Sequence, residues 1–157
     1  MVHWNYRSHG EMMAELSRAD FIWNRACEGD ATALLPGDRA LAALLVLHGL
    51  VMNGGVLHAV ECLDPQELAG AISGYRFFGF DDVAVMLADT KSFAEVHDDL
   101  YSHDDTDSIE ADLDKRYLAS IPSDSTLFAR FAAYLLRNPS EFAPLLGSWR
   151  SAKLEGR

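Results

Sequence analysis

Apolar residues recur at spacings of three and four along most of the chain, which is the period of an amphipathic α-helix. The first helical segment begins with a predicted capping box, Ser8 with Glu11, and ends before Gly29. A second segment, capped by Asp38, is apolar at nearly every position over residues 41–51. Because a helix that is apolar all round must be buried, we expect this one to be the central element.

Capping and turn residues divide the rest of the chain into further helices. Asn53-Gly54-Gly55 ends the apolar helix, and a short helix over residues 56–63 follows directly. An alternative role for this turn is that the amides after it bind an anion. Asp64-Pro65-Gln66-Glu67 is a typical helix start. The remaining predicted helices span residues 65–78, 81–88, 108–121 and 124–138.

The pattern predicts one all-α domain. No segment shows a sustained alternation of polar and β-branched residues, so no strand is expected. No repeat or linker divides the chain, and its one long loop is the acidic stretch of residues 98–107. We therefore expect a single-domain helical bundle of about seven helices over residues 1–157.

Composition restricts the partners of such a domain. The chain has 157 residues, of which 49% are hydrophobic, enough for one core of ordinary size. It carries 24 Asp and Glu against 13 Lys and Arg, a formal charge of −11. Affinity for nucleic acid or anionic lipid depends on Lys and Arg, so neither is an expected direct partner. Expected partners are cationic: metal ions, basic proteins, or the DNA-binding face of another protein.

The negative charge is concentrated in one region. Residues 81–124 contain 13 acidic and 3 basic residues, a net charge of −10, whereas the remainder of the chain is nearly neutral. On the predicted helix, Asp107, Glu110 and Asp114 lie on one face. This stripe is either a solvated surface that improves solubility or a surface that binds a basic partner.

Motifs for metal binding and catalysis are incomplete. A calcium loop starting at Asp105 fails, because its fifth and sixth positions are Ile109 and Glu110. No nucleophile motif or phosphate-binding glycine loop occurs in the sequence, so no enzyme activity and no cofactor are expected. Cys27 and Cys62 are not in a Cys-x-x-Cys pair and are expected as reduced thiols.

The histidines provide the alternative of a metal site. His58 and Glu61 are three positions apart on one predicted helix, and His97 and His103 lie beside acidic residues. No third ligand follows from the spacing, so metal binding is not the favoured prediction. His48 lies within the apolar run and is expected to be a hydrogen-bonded core residue.

The sequence predicts a cytoplasmic location. No basic segment followed by an apolar one marks a signal peptide at the N-terminus. The longest apolar stretch, residues 41–52, is interrupted by His48 and Gly49, and we expect it to be too short to span a bilayer.

Several short motifs, in their order and spacing, resemble the bacterial DNA-mimic protein 19-like family. They are Val51-Met52-Asn53-Gly54-Gly55, Leu113-Asp114-x-x-Tyr117, Pro122-Ser123-Asp124, and a closing helix over residues 127–136 followed by Asn138 and Phe142. The resemblance covers residues 40–142. It implies an all-helical bundle, often dimeric, and its best-known member uses surface carboxylates to imitate DNA phosphates and sequesters a helix-turn-helix transcription factor. After Asn-Gly-Gly, where the family usually has Gln and several aromatic residues, this chain has Val-Leu-His-Ala-Val.

Together these observations predict a non-enzymatic, acidic protein-binding module. A DNA mimic that sequesters a basic DNA-binding protein is the favoured form, and a homodimer is compatible with the resemblance. The alternatives are an immunity or antitoxin-like protein that blocks a basic toxin, and a metal-dependent enzyme that uses His58 and Glu61. The predicted partner-binding residues are Asp98, Asp99, Asp104, Asp105, Asp107, Glu110 and Asp114.

Overall fold

Residues 17–29, 35–96 and 106–145 are described by a computed structural model of the chain. They contain six α-helices and no strand, which confirms the all-helical prediction. The predicted number of about seven is slightly too high when the segments before and after Asn53-Gly54-Gly55 are counted as one kinked helix, but Gly55 is non-helical, so the predicted interruption at this turn is confirmed. The helices are α1 (Arg18–Glu28), α2 (Pro36–Cys62), α3 (Pro65–Phe77), α4 (Asp81–Val96), α5 (Thr106–Ser120) and α6 (Asp124–Arg137), followed by a short 3-10 turn at Pro139–Glu141.

Helix α2 is the centre of the bundle, as its apolar sequence predicts. Helices α1, α3, α4 and α5 and the 3-10 turn all pack against it. Buried apolar side chains from every one of the six helices form one core around it. Its burial is not complete, however, since Val46 is 55% exposed and Met52 is 50% exposed.

The length of α2 differs from the sequence-based expectation. The helix continues through His48 and Gly49 and has 27 residues, so by length and composition alone it could cross a membrane. The central helix of a helical bundle meets the same criterion, and here four other helices pack around it. The expectation that this segment is too short is therefore wrong as to length.

Two predicted helix boundaries are confirmed by their hydrogen bonds or positions. Asp64 caps α3: its carboxylate accepts from the backbone N–H of Gln66 and of Glu67, and Glu67 accepts in return from the Asp64 N–H. Ser123 and Asn138 flank α6, as predicted. Helix α4 extends beyond its predicted end to Val96, and the acidic loop that follows lies outside the described residues.

The predicted first helix is interrupted at Ser17. Helix α1 begins at Arg18, and its N-cap is Ser17, whose extended backbone breaks any continuous helix from Ser8. Ser17 forms a reciprocal capping box with Asp20. The predicted box of Ser8 with Glu11 lies outside the described residues.

Asp38 is not the N-cap of α2. It lies inside the first turn and is 4% exposed, while Leu35 occupies the N-cap position. Its Oδ1 atom is 2.6 Å from Arg25 Nη2, and its Oδ2 atom accepts from the Ala143 N–H at 2.7 Å. Asp38 therefore connects α1, α2 and the segment after α6 through one buried carboxylate.

The same C-terminal segment crosses α2 at very short range. A Cβ atom at Gly37 would lie 2.6 Å from Phe142 Cζ and 2.7 Å from the Glu141 carbonyl oxygen. Only glycine fits under this crossing, and Phe142 is 2% exposed as a result. Arg18 adds a hydrogen bond to the Pro139 carbonyl oxygen at 3.1 Å.

Candidate functional site

The structure gives different surroundings to the predicted partner-binding residues. Asp107 is exposed near the start of α5, whereas Glu110 and Asp114 are half-buried. The buried residues of α5 are Thr106, Leu113 and Tyr117, and Glu110 and Asp114 lie beside this inward-facing stripe. The other four predicted residues lie outside the described residues: Asp98, Asp99, Asp104 and Asp105.

Exposed carboxylates also occur on α4 and α5 outside the predicted set. Asp81 and Asp82 are exposed in the first turn of α4, and Asp112 is exposed in the middle of α5. Like Asp107, none of these three forms a salt bridge with another described residue. Their charges are therefore directed into solvent rather than neutralised within the described part of the fold.

Asp114 is part of the architecture. It lies against the bend of α2 at Gly55, where φ is 86° and ψ is 172°. Its Oδ1 atom accepts a hydrogen bond from the Val56 N–H at 2.8 Å. A Cβ atom at Gly55 would lie 2.9 Å from Oδ2, so the absence of a side chain there allows the carboxylate to approach the backbone.

The amides after Asn53-Gly54-Gly55 do bind an anion, and that anion is in the same chain. Helix residues after Gly55 start a new run of N–H groups with positive electrostatic potential, which favours a carboxylate at this position. Asp114 supplies it from α5, and the turn thereby joins two helices. Beside it is a surface groove of about 240 Å³ whose apolar rim includes the half-exposed Met52 and Leu118.

His48 is a hydrogen-bonded core residue, as predicted, and is 4% exposed. Its Nε2 atom is 2.9 Å from Asp124 Oδ1, and its Nδ1 atom is 2.7 Å from the Tyr117 hydroxyl. The Tyr117 hydroxyl is 2.6 Å from that of Tyr75. Because a carboxylate only accepts, Nε2 donates to Asp124, so in the neutral ring Nδ1 accepts from Tyr117, which in turn accepts from Tyr75.

This chain of four side chains connects α2, α3, α5 and the start of α6. Both ring nitrogens of His48 are used within it, so neither is available to a substrate or a metal ion. Burial is the main cause that raises the pKa of both phenols, Tyr75 and Tyr117, well above the ordinary tyrosine value. The arrangement therefore joins and orients the four helices that carry these side chains.

A cleft of about 270 Å³ opens between α1 and α2, next to the His48 chain. Cys27 from α1 and Asp124 from the start of α6 are among the residues that line it. Desolvation raises the pKa of Cys27, and the charges of Asp124 and Glu28 raise it further. A thiol that stays protonated is a poor nucleophile, and both ring nitrogens of the neighbouring His48 are used within the core. The residues that line the cleft are Trp23, Ala26, Cys27, Leu45, Val46, His48, Gly49 and Asp124.

The predicted metal candidates do not come together in the described part of the chain. His58 contacts Cys62, with Nε2 at 3.4 Å from Sγ. Among the described residues, no group of three His, Cys, Asp or Glu side chains is placed to hold a metal ion. His97 and His103 lie outside the described residues.

Two features of this site were missed by the sequence analysis. The role of Asp114 was missed because its partner, the Val56 N–H, is 58 positions away in the chain. The cleft was missed because its walls come from three helices with no shared motif. The available signal was the motif Leu113-Asp114-x-x-Tyr117. Its Asp114 and Tyr117 are three positions apart, about one helical turn, and contact Val56 and His48 respectively.

Comparison with known proteins gives one finding. A family model described as DMP19-like protein matches residues 32–143, which is well over half of the chain. The matched region begins just before α2 and includes Phe142, so it contains five of the six described helices and the crossing over Gly37. No curated protein and no solved structure matches the chain at a significant level.

Proposed function

The chain belongs to the DMP19-like protein family, and we propose that it is a non-enzymatic protein that binds a basic DNA-binding protein. In this proposal the carboxylates of residues 81–124 occupy the positions that DNA phosphates would take on the partner. The bound partner is then unable to bind DNA. The acidic surface competes with DNA for one set of Lys and Arg side chains.

The exposed, unpaired carboxylates of α4 and α5 are the observation that carries this proposal. Helices α4 and α5 carry eight acidic residues and only three basic ones, Lys91, Lys115 and Arg116, and six of the eight acidic residues are exposed. Lys91 is 3.9 Å from Glu95, a surface pair that contributes little. The negative field over this surface is therefore largely uncompensated, which favours fast, salt-sensitive association with a basic protein.

The location of Asp114 determines which residues should be changed in a test. Asp114 stabilises the bend of α2, so its replacement would confuse loss of binding with loss of stability. Asp107 and Asp112 are exposed on the same helix and form no salt bridge with a described residue. The double variant Asp107→Asn with Asp112→Asn removes two charges and nearly preserves side-chain shape.

The experiment is a pull-down from native cell extract with the immobilised full chain, eluted by increasing salt. We expect a basic DNA-binding protein to be retained, to elute earlier from the double variant, and to be displaced by added double-stranded DNA. The opposite variant, Lys115→Gln with Arg116→Gln, increases the negative charge of α5 and should delay elution. Exposed charge pairs are screened beyond about 8–10 Å near physiological ionic strength, so the salt dependence should be steep.

The outcomes separate the proposed function from its alternatives. If the double variants in both directions elute at the same salt as the unmodified chain, the acidic surface is not the binding surface. If a basic protein is retained but DNA does not displace it, mimicry is wrong, and a blocked toxin becomes the better explanation. Recovery of no nucleic-acid-binding protein also contradicts mimicry.

A further inference from the structure

The cleft between α1 and α2 has apolar walls held in place by the core. Trp23 lines it from α1, and its ring centroid is 5.3 Å from that of Phe128 and 5.9 Å from that of Phe131. Leu45 and Val46 form the opposite wall on α2, and Val46 is 55% exposed. The cleft therefore offers an aromatic ring and two aliphatic side chains to a group that enters from solvent.

Asp124 is the one acidic residue among those that line the cleft. The side chain of Asp124 is 76% exposed; Oδ1 bonds to His48, and Oδ2 has no hydrogen bond to a described residue. Desolvation is the main cause that raises the pKa of the Cys27 thiol, and the charges of Asp124 and Glu28 raise it further. No Lys or Arg is among the lining residues.

The size and chemistry of the cleft fit one long side chain. Its volume of about 270 Å³ is below the roughly 300–1,000 Å³ of pockets that bind drug-sized molecules. Apolar walls that lead to a single carboxylate match a side chain with a methylene stem and a cationic head. Arginine fits best, because its planar guanidinium can bond to a carboxylate and also stack on an aromatic ring.

We propose that this cleft accepts an arginine side chain of the basic partner, with its guanidinium at Asp124 and its stem against Trp23, Leu45 and Val46. This inference rests on the proposed function for the nature of the partner, but it concerns a surface separate from the exposed acids of α4 and α5. It adds a shape-specific contact to an interaction that is otherwise electrostatic. A metal ion does not fit, since Asp124 is the only carboxylate among the lining residues and both nitrogens of His48 are used.

Cys27 provides a probe inside the cleft, and Cys62, which is exposed on α2 and does not line it, is the matched control. The full chain is labelled with N-ethylmaleimide, and the rate at each cysteine is followed by peptide mass spectrometry. N-acetyl-arginine amide should slow labelling of Cys27 severalfold in a concentration-dependent manner and leave Cys62 unchanged. N-acetyl-citrulline amide, which has the same length and no charge, should protect much less.

Two variants test the assigned contacts. Asp124→Asn keeps an oxygen that accepts from His48 and removes the charge, so protection by the arginine compound should be lost. Asp89→Asn removes an exposed charge from α4, which does not line the cleft, and should have no effect. Val46→Asp adds a carboxylate at the exposed rim and should increase protection.

The labelling results decide this inference independently of the partner. The arginine cleft is overturned if both compounds protect Cys27 equally or if Cys62 is protected as well. It is also overturned if Cys27 does not react even without ligand. The inference is supported if the arginine compound no longer protects Cys27 in Asp124→Asn but still protects it in Asp89→Asn. If the pull-down recovers no basic protein while the arginine compound still protects Cys27, the cleft is established and the proposed function is wrong.

Discussion

The contact between Asp114 and the bend of α2 gives the sharpest test of the architecture. We predict that Asp114→Ala destabilises the fold, although its partner is a single backbone N–H. Val56 is fully buried, so removal of the carboxylate leaves its N–H without the acceptor that Oδ1 supplies at 2.8 Å. The same change removes a negative charge from the start of a helical segment, where it is favourable.

The size of the effect can be worked out from these terms. A buried N–H left without an acceptor costs about 1–3 kcal/mol, and the lost charge–helix interaction adds about 0.3–1 kcal/mol. Relief of the like-charge pair of Glu110 with Asp114 returns a few tenths of a kcal/mol, roughly. The net loss is about 2 kcal/mol, and for a chain of this size it lowers Tm by about 4–8 °C.

Urea unfolding followed by circular dichroism at 222 nm measures this loss. Asp114→Asn keeps an acceptor oxygen and should lose less than half as much as Asp114→Ala. Asp107→Ala, on the exposed face of the same helix, is the control and should change stability by less than about 0.5 kcal/mol. If Asp114→Ala and Asp107→Ala are equally stable, the carboxylate does not stabilise the bend and our interpretation is refuted.

Other expected outcomes concern the remaining buried groups. Asp38→Ala should cost about 3–5 kcal/mol, because it leaves the Arg25 guanidinium, whose side chain is only 14% exposed, without its carboxylate partner; a loss below about 1 kcal/mol in thermal melts would contradict this. Because the pKa values of Tyr75 and Tyr117 are raised in the folded protein, these phenols lose their protons at lower pH in the unfolded chain than in the folded one. The free energy of unfolding should therefore fall as pH rises above about 10. Absorbance at 295 nm should then show both phenols ionising only as circular dichroism reports unfolding. The raised pKa of Cys27 should shift its labelling by N-ethylmaleimide to higher pH in the folded protein than in urea, and coincident pH profiles would contradict it.

The local parts of the fold were predictable from sequence. The cap at Asp64 and the end of α6 at Asn138 depend on residues a few positions apart, and both are confirmed. His48 as a bonded core residue also followed, since a polar residue within an apolar helix must find partners. These inferences needed no knowledge of which helices are neighbours.

The errors have one physical cause, which is interaction between distant segments. Asp38 has the right residue type and position for an N-cap, yet the distant Arg25 and Ala143 N–H use its oxygens instead. Asp114 was assigned to an exposed stripe because helical periodicity does not show which side faces α2. The pattern of a single sequence gives the angular position of a side chain on its own helix. It does not show which other segment of the chain packs against that side chain.

The crossing of the C-terminal segment over Gly37 has a consequence for synthesis of the chain. Asp38 and the Ala143 N–H are 105 positions apart, so the start of the central helix is made long before the groups that complete its surroundings. A nascent chain that ends before Phe142 lacks the ring that covers Gly37 and the N–H that binds Asp38. Helices α1 to α6 can therefore form in order during translation, but the core closes only after residue 143 has left the ribosome. Premature termination within the last turn of α6 would then yield a helical but incompletely packed product, a substrate for chaperones and proteases.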